Sequence, residues 1–340
     1  MSDAPDAPVG DAPAGDSREV ARGLTRKIVL AMLFAALIFG ALAFYSDVQE
    51  LQRTAKTFAP SAFLLGLALA FGNYLLRVAR WQYYLKHLGI HVPLGESALV
   101  FLASFVMTVT PGKVGEVFKS LLLWESRGTS IARTAPILVA ERLTDLIALV
   151  MLTAVGSLAF EHGIAVAATG GALTGALLVV CAYRPLGNLL LGIADRLPLI
   201  GRISHKLHEA YDSLLEMTRP APLLVGTAVA FVAWGLECGS LYAIVHGFAG
   251  VEMSWDGATF AYAASTIAGA VAMMPGGLGV TEVGMTTLLQ ALGGEAMRPA
   301  VATAATILVR IATLWFAVAV GLVALGAYRA THGRPPARAS

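Results

Sequence analysis

The chain has 340 residues, of which 57% are apolar and 14% charged, and its mean hydropathy is +0.71. That composition exceeds what the core of a soluble domain of this length needs and excludes one; it fits an all-α integral membrane protein. The net charge of +2 says little, and no nucleic-acid partner, cofactor or metal is expected. Cys181 and Cys238 both fall in apolar runs, which argues against a disulfide framework or a zinc site.

Residues 1–27 open with the acidic run MSDAPDAPVGDAPAGDS and read as a disordered cytoplasmic tail with no secretory signal. A first membrane repeat is expected over 28–160, with spans near 28–45, 61–83 and 134–160 and an interrupted apolar stretch at 96–124. A second is expected over 161–328, with spans near 163–183, 221–247 and 299–328 and an interrupted stretch at 257–292. Between its first two spans lies the polar segment 184–220. There Ile203, Leu207, Tyr211, Leu214 and Leu215 share one helical face, as in a helix lying in the cytoplasmic interface or in a linker packed on the bundle. His205 and His208 in it read as surface residues. Residues 329–340 read as a flexible cytoplasmic tail.

Orientation follows from Lys and Arg, which collect in cytoplasmic loops. Arg18, Arg22, Arg26 and Lys27 place the N-terminus inside, and Arg329, Arg334 and Arg338 place the C-terminus with it. The connections near 161–163 and 248–256 lack Lys and Arg and face outward; the 46–60 loop fits less well, because it carries Arg53 and Lys56.

Each interrupted stretch contains a turn signal where hydrocarbon is expected. In FVMTVTPGKVGEVFKSLLL the breakers are Pro111, Gly112 and Gly115; in MMPGGLGVTEVGMTTLL they are Pro275, Gly276, Gly277 and Gly279. Arg80 and Lys86 flank the first stretch on one side, Arg127 and Arg133 on the other, so both of its ends read as cytoplasmic. Both flanks of the second are poor in positive charge. A segment that leaves by the side it entered is a re-entrant hairpin, and its turn must be buried in protein or line a wet cavity. The expected architecture is therefore about six full transmembrane helices plus two re-entrant helical hairpins. PGKVGEV at 111–117 also resembles PGGLGVTEV at 275–283, and the halves begin on opposite sides, which makes the repeat an inverted one, the arrangement of many carriers.

Ionisable groups inside spans are costly and make default site candidates. The candidates for binding substrate are Lys113, Glu116, Glu141, Arg142, Asp145, Glu237, Glu282 and Arg310, with Arg77 and Lys119 read as snorkelling from span ends. Glu141 and Asp145 are four apart on one helix face, and the repeat equates Glu116 with Glu282 and Arg142 with Arg310. Two readings stand: the charges contact a headgroup, or they staple hairpins to spans. At each turn an exiting helix begins inside the protein, and its free N–H groups, with Lys113 beside the first, attract an anion such as phosphate.

On TPGKVGEVFKSLLL, ERLTDLIALVML, MPGGLGVTEVGMTTLLQALGG and ILVRIATLWFAVAVGLVAL the chain resembles the lysylphosphatidylglycerol synthase transmembrane-domain family, also called flippase-like domain proteins. The resemblance runs in order over most of residues 28–328. It implies a lipid-translocating module of a bacterial inner membrane, without the soluble aminoacyl-transferase domain of the bifunctional members and hence without synthase activity. The expected function is a flippase or facilitator for an anionic, modified or polyprenyl-type lipid. Alternatives are a proton-coupled small-anion carrier and a non-transporting partner of a lipid-modifying enzyme. No Walker A sequence follows Gly112–Lys113, so a gradient rather than ATP is the expected energy source.

Overall fold

The computed structural model describes residues 30, 32–44, 48–109, 117–157, 163–185, 188, 189, 192 and 204–332. The N-terminal tail at 1–27 and the first turn, with Pro111, Gly112, Lys113, Gly115 and Glu116, lie outside them. Among the described residues the chain is helical and forms no strand.

The helices of the first half are α1 (Met32–Phe44), α2 (Val48–Lys56), α3 (Pro60–His87), α4 (Leu94–Ala103, extended by a 3-10 turn at Ser104–Met107), α5 (Phe118–Arg127) and α6 (Ile131–Ser157). Those of the second are α7 (Gly163–Ala182), α8 (Ser204–Met217), α9 (Pro220–Val245), α10 (Trp255–Val271), α11 (Val280–Leu292) and α12 (Pro299–His332). Pro60, Pro220 and Pro299 each open a helix, where the missing N–H costs nothing and the fixed φ is already helical. Gly128 at φ +67° closes α5.

Three of these helices, α3, α9 and α12, are long and apolar enough to cross a membrane, and a fourth results if α1 and α2 count as one bent span. The sequence led us to expect six crossings. Helix α6 has the length, 27 residues, but carries Glu141, Arg142 and Asp145 near its middle. Residues 46–60 contain not a plain loop but the polar helix α2, which puts Arg53 and Lys56 on an ordered element packed against the start of α12. In 184–220, α8 packs against α6, and Met217 is fully buried.

Helices α3 and α9 form the most extensive pair, joined at its centre by the Asn73 amide donating to the Ala233 carbonyl at 2.8 Å. Around them α6 packs on α10, and the second part of α12 packs on α4. Gly321 permits the latter contact, since a Cβ there would lie 2.6 Å from the Val106 amide nitrogen.

The 34 residues of α12 make it roughly 51 Å long at 1.5 Å per residue. Its two ends receive different hairpins. Near its C-terminus Tyr328 donates to the Leu122 carbonyl at 2.7 Å, and His332 lies 3.8 Å from Glu96. The base of that first hairpin is closed by Arg127 on Glu96, and Arg133 donates to the Leu88 carbonyl at 2.6 Å, so the entering and leaving chains lie side by side. At the N-terminal end of α12, Met297 and Val301 share an apolar cluster with Val251, Met253 and Ala258 at the base of the second hairpin. Midway along, Ile311–Trp315 forms a π turn. There Val109 and Leu278 pack with Leu314, Val318 and Ala35 of α1.

Candidate functional site

Two apolar cores, one gathered around each hairpin base, meet at a cavity of about 190 Å³. Both contribute walls: Tyr74, Phe101 and Phe105 from one, Trp234 and Tyr262 from the other. Among the described residues six charged side chains line it, Arg77, Lys119, Glu141, Arg142, Glu237 and Arg310. A space of that size holds a group of waters or a phosphate-sized head.

On the first-half side Lys119 donates to Glu141 within hydrogen-bonding distance, both fully buried. The Lys119 ammonium also sits over the rings of Trp81 and Phe101, 4.7 and 4.9 Å from their centroids. Behind the cavity wall, Asp145 gathers three guanidinium groups: Arg77 at 2.7 Å, Arg80 at 2.8 Å and Arg142 at 3.2 Å. Arg77 is further held over the Trp234 ring, 5.3 Å from its centroid. Arg80, fully buried, donates to the Thr144 hydroxyl at 3.1 Å.

On the second-half side Arg310 is fixed at two points, Nε to Glu282 Oε1 and Nη2 to the Gly276 carbonyl, each at 2.6 Å. The other Glu282 oxygen accepts the Gly279 N–H at 2.6 Å, closing the first turn of α11. Gly276, Gly277 and Gly279 all have positive φ, at 61°, 71° and 91°, so the turn needs glycine at these places. Glu237 accepts from the Tyr262 hydroxyl. Just past Arg310, Tyr74 donates to the Thr313 carbonyl in the π turn at 2.6 Å; such turns often mark functional sites.

The structure therefore brings Glu141, Arg142, Glu237 and Arg310 to one cavity, as candidates read from the sequence. Asp145 and Glu282 stand behind it and orient cations that face it. Lys113 and Glu116 lie outside the described residues. Five expectations change. Lys119 does not snorkel to a surface; it is buried beside the cavity, where its charge is balanced by Glu141. Arg77 likewise turns inward to Asp145. Arg80 is not a cytoplasmic flank, since the same carboxylate holds it inside the protein. Pro275 does not end the entering helix, for α10 stops at Val271 and Pro275 opens the 3-10 turn at 275–277; the proline holds Met274 extended. Nor is the N-terminus of α11 left for an external anion at Gly279, because Glu282 already supplies the carboxylate.

The aromatic walls and Arg80 escaped the sequence reading. A signal existed for Arg80: it is three residues after Arg77, hence on the same helix face.

Residues 28–321 match the family described as the lysylphosphatidylglycerol synthase TM region. A UPF0104 membrane protein of Methanothermobacter thermautotrophicus is 24% identical, with 87% of this chain and 92% of the relative covered. Another, of Pyrococcus horikoshii, is 23% identical over 76% of this chain and 84% of its own. The match takes in every residue that lines the charged cavity and all the helices as far as Gly321 of α12, and the chain belongs to the family of the lysylphosphatidylglycerol synthase TM region.

Proposed function

We propose that this membrane protein carries an anionic lipid from one leaflet to the other, its headgroup passing through the charged cavity while its hydrocarbon chains stay in the bilayer. The observation that carries the reading is the charge of the cavity cluster. Its five cations, Arg77, Arg80, Lys119, Arg142 and Arg310, face four carboxylates, Glu141, Asp145, Glu237 and Glu282, among the described residues. A phosphodiester complements the guanidinium groups gathered there, and buried charge of this kind is favourable only when paired.

In this reading α4–α5 and α10–α11 are re-entrant hairpins related by an inverted repeat. Support comes from their bases at opposite ends of α12, from the residues beside their tips meeting at its π turn, and from the crossed packing of each hairpin on the closing helix of the other half. Arg77, Arg142 and Arg310 take the phosphate, Asp145 and Glu282 hold those guanidinium groups in place, and Glu141 and Glu237 meet positive or hydroxyl groups of the head. Both termini lie on the cytoplasmic side of the cell membrane, and a lipid or ion gradient drives net movement.

The test is reconstitution into liposomes with fluorescent phospholipids and an external quencher. Phosphatidylglycerol is expected to cross while phosphatidylcholine does so far more slowly. Equal rates for both, or uptake of free phosphate without lipid movement, contradicts the reading.

A further inference from the structure

Part of the cavity lining at and just after the end of α10 is exposed. Ala270 and Met273 line the cavity and are also exposed on the outside of the protein, Met273 by 64%. Further exposed apolar side chains follow close by in the chain: Val271 at 67%, Val280 at 37% and Val283 at 55%. Met273 also has φ +51°, the one positive φ outside glycine among the described residues. An outlier of that kind at a cavity edge is a reason to look for function there. A third residue of the lining, Arg142, is also partly open, at 31%.

We infer that Ala270 and Met273 form a lateral mouth between the cavity and the bilayer, and that the apolar lip Val271–Met273–Val280–Val283 is a docking site for the hydrocarbon chain of the transported lipid. The occupant is lipid because the chain is an integral membrane protein, whose exposed valine surface faces hydrocarbon, and because Met273 joins that surface to the polar cavity without an intervening layer. A headgroup at this mouth reaches guanidinium groups while its chains remain against the lip, so no acyl chain crosses the charged interior. The inference rests on the lipid-carrier reading for its ligand, but the mouth itself is tested apart from transport.

Single cysteines at 273, 270 and 283, in a chain with Cys181→Ala and Cys238→Ala, are labelled with bimane and reconstituted into nanodiscs. Iodide probes contact with water, and a spin-labelled phospholipid probes contact with lipid. Probes at 273 and 270 are expected to be quenched by both reagents, and the probe at 283 by the lipid alone. Quenching at 273 and 270 by lipid only, by iodide only, or by neither overturns the mouth; neither at 283 overturns the lip. Lipid movement by the same preparations separates the two claims. Double quenching without movement keeps the mouth and removes the carrier reading, whereas movement without double quenching does the reverse.

Discussion

Arg142 and Arg310 are each the twelfth residue of the helix that closes its half, yet they are held in different ways. Arg310 is buried and bound to Glu282 and to the Gly276 carbonyl, so it ties α12 to the second turn. Arg142 is partly open, and its carboxylate partner Asp145 also holds Arg77 and Arg80. Arg310 is thus tied into the fold at two points, whereas Arg142 keeps more of its guanidinium open. Equivalent places in two helices therefore do not give equivalent surroundings: the two arginines differ in burial and in how their counter-ions are shared.

The sharpest way to break this comparison is to remove Arg310. Arg310→Ala leaves Glu282 fully buried with no cation among the described residues, a situation that costs about 3–5 kcal/mol. Thermal unfolding in detergent should show a large loss of stability and size-exclusion chromatography a depleted monodisperse peak. A stable, well-folded Arg310→Ala chain would remove its role as a staple.

The Lys119–Glu141 pair offers the next largest effect. Lys119→Met alone leaves Glu141 buried and charged, and should be strongly destabilising. Adding Glu141→Leu should restore most of the loss, because an apolar pair of similar volume avoids the desolvation of both ions. A double-mutant cycle on unfolding measures the coupling; additive losses would contradict it.

Arg142→Ala sharpens the comparison from the other side. Asp145 retains two guanidinium partners, so the unfolding free energy should change by no more than about 1 kcal/mol, the worth of a partly exposed pair. Lipid movement should nevertheless fall by about tenfold or more, equivalent to at least ~1.4 kcal/mol on the barrier. Loss of folding in parallel would make Arg142 a second staple. The smallest effect is expected outside the cavity, at the exposed Glu50–Arg298 pair that joins α2 to the residue before α12. Glu50→Gln should cost less than about 1 kcal/mol and leave transport unchanged.

Much of this site was readable in advance because charge inside an apolar run is rare and has few explanations. Glu141, Arg142, Glu237 and Arg310 stood out in that way and line one cavity. The glycines of the second turn were readable for a similar reason, since positive φ excludes most other residues. Arg80 was misplaced because counting positive charges beside a span cannot separate a flanking residue from one that reaches inward to a carboxylate 65 positions away. The cavity's aromatic walls were invisible for a different reason: in a chain so rich in apolar residues, nothing local separates Tyr74 or Trp234 from ordinary core. The internal break in α12 was equally hidden, because a π turn needs no proline or glycine; Tyr74, far away in the chain, donates to the Thr313 carbonyl there.

The account is tested most directly by the rate at which fluorescent phosphatidylglycerol crosses liposome membranes holding equal amounts of folded wild-type or Arg142→Ala chain. It predicts that wild type exposes nearly all of the label to an external quencher, while the variant stays close to protein-free liposomes. Indistinguishable rates for the two chains, or a wild-type rate no greater than that of empty liposomes, would contradict it.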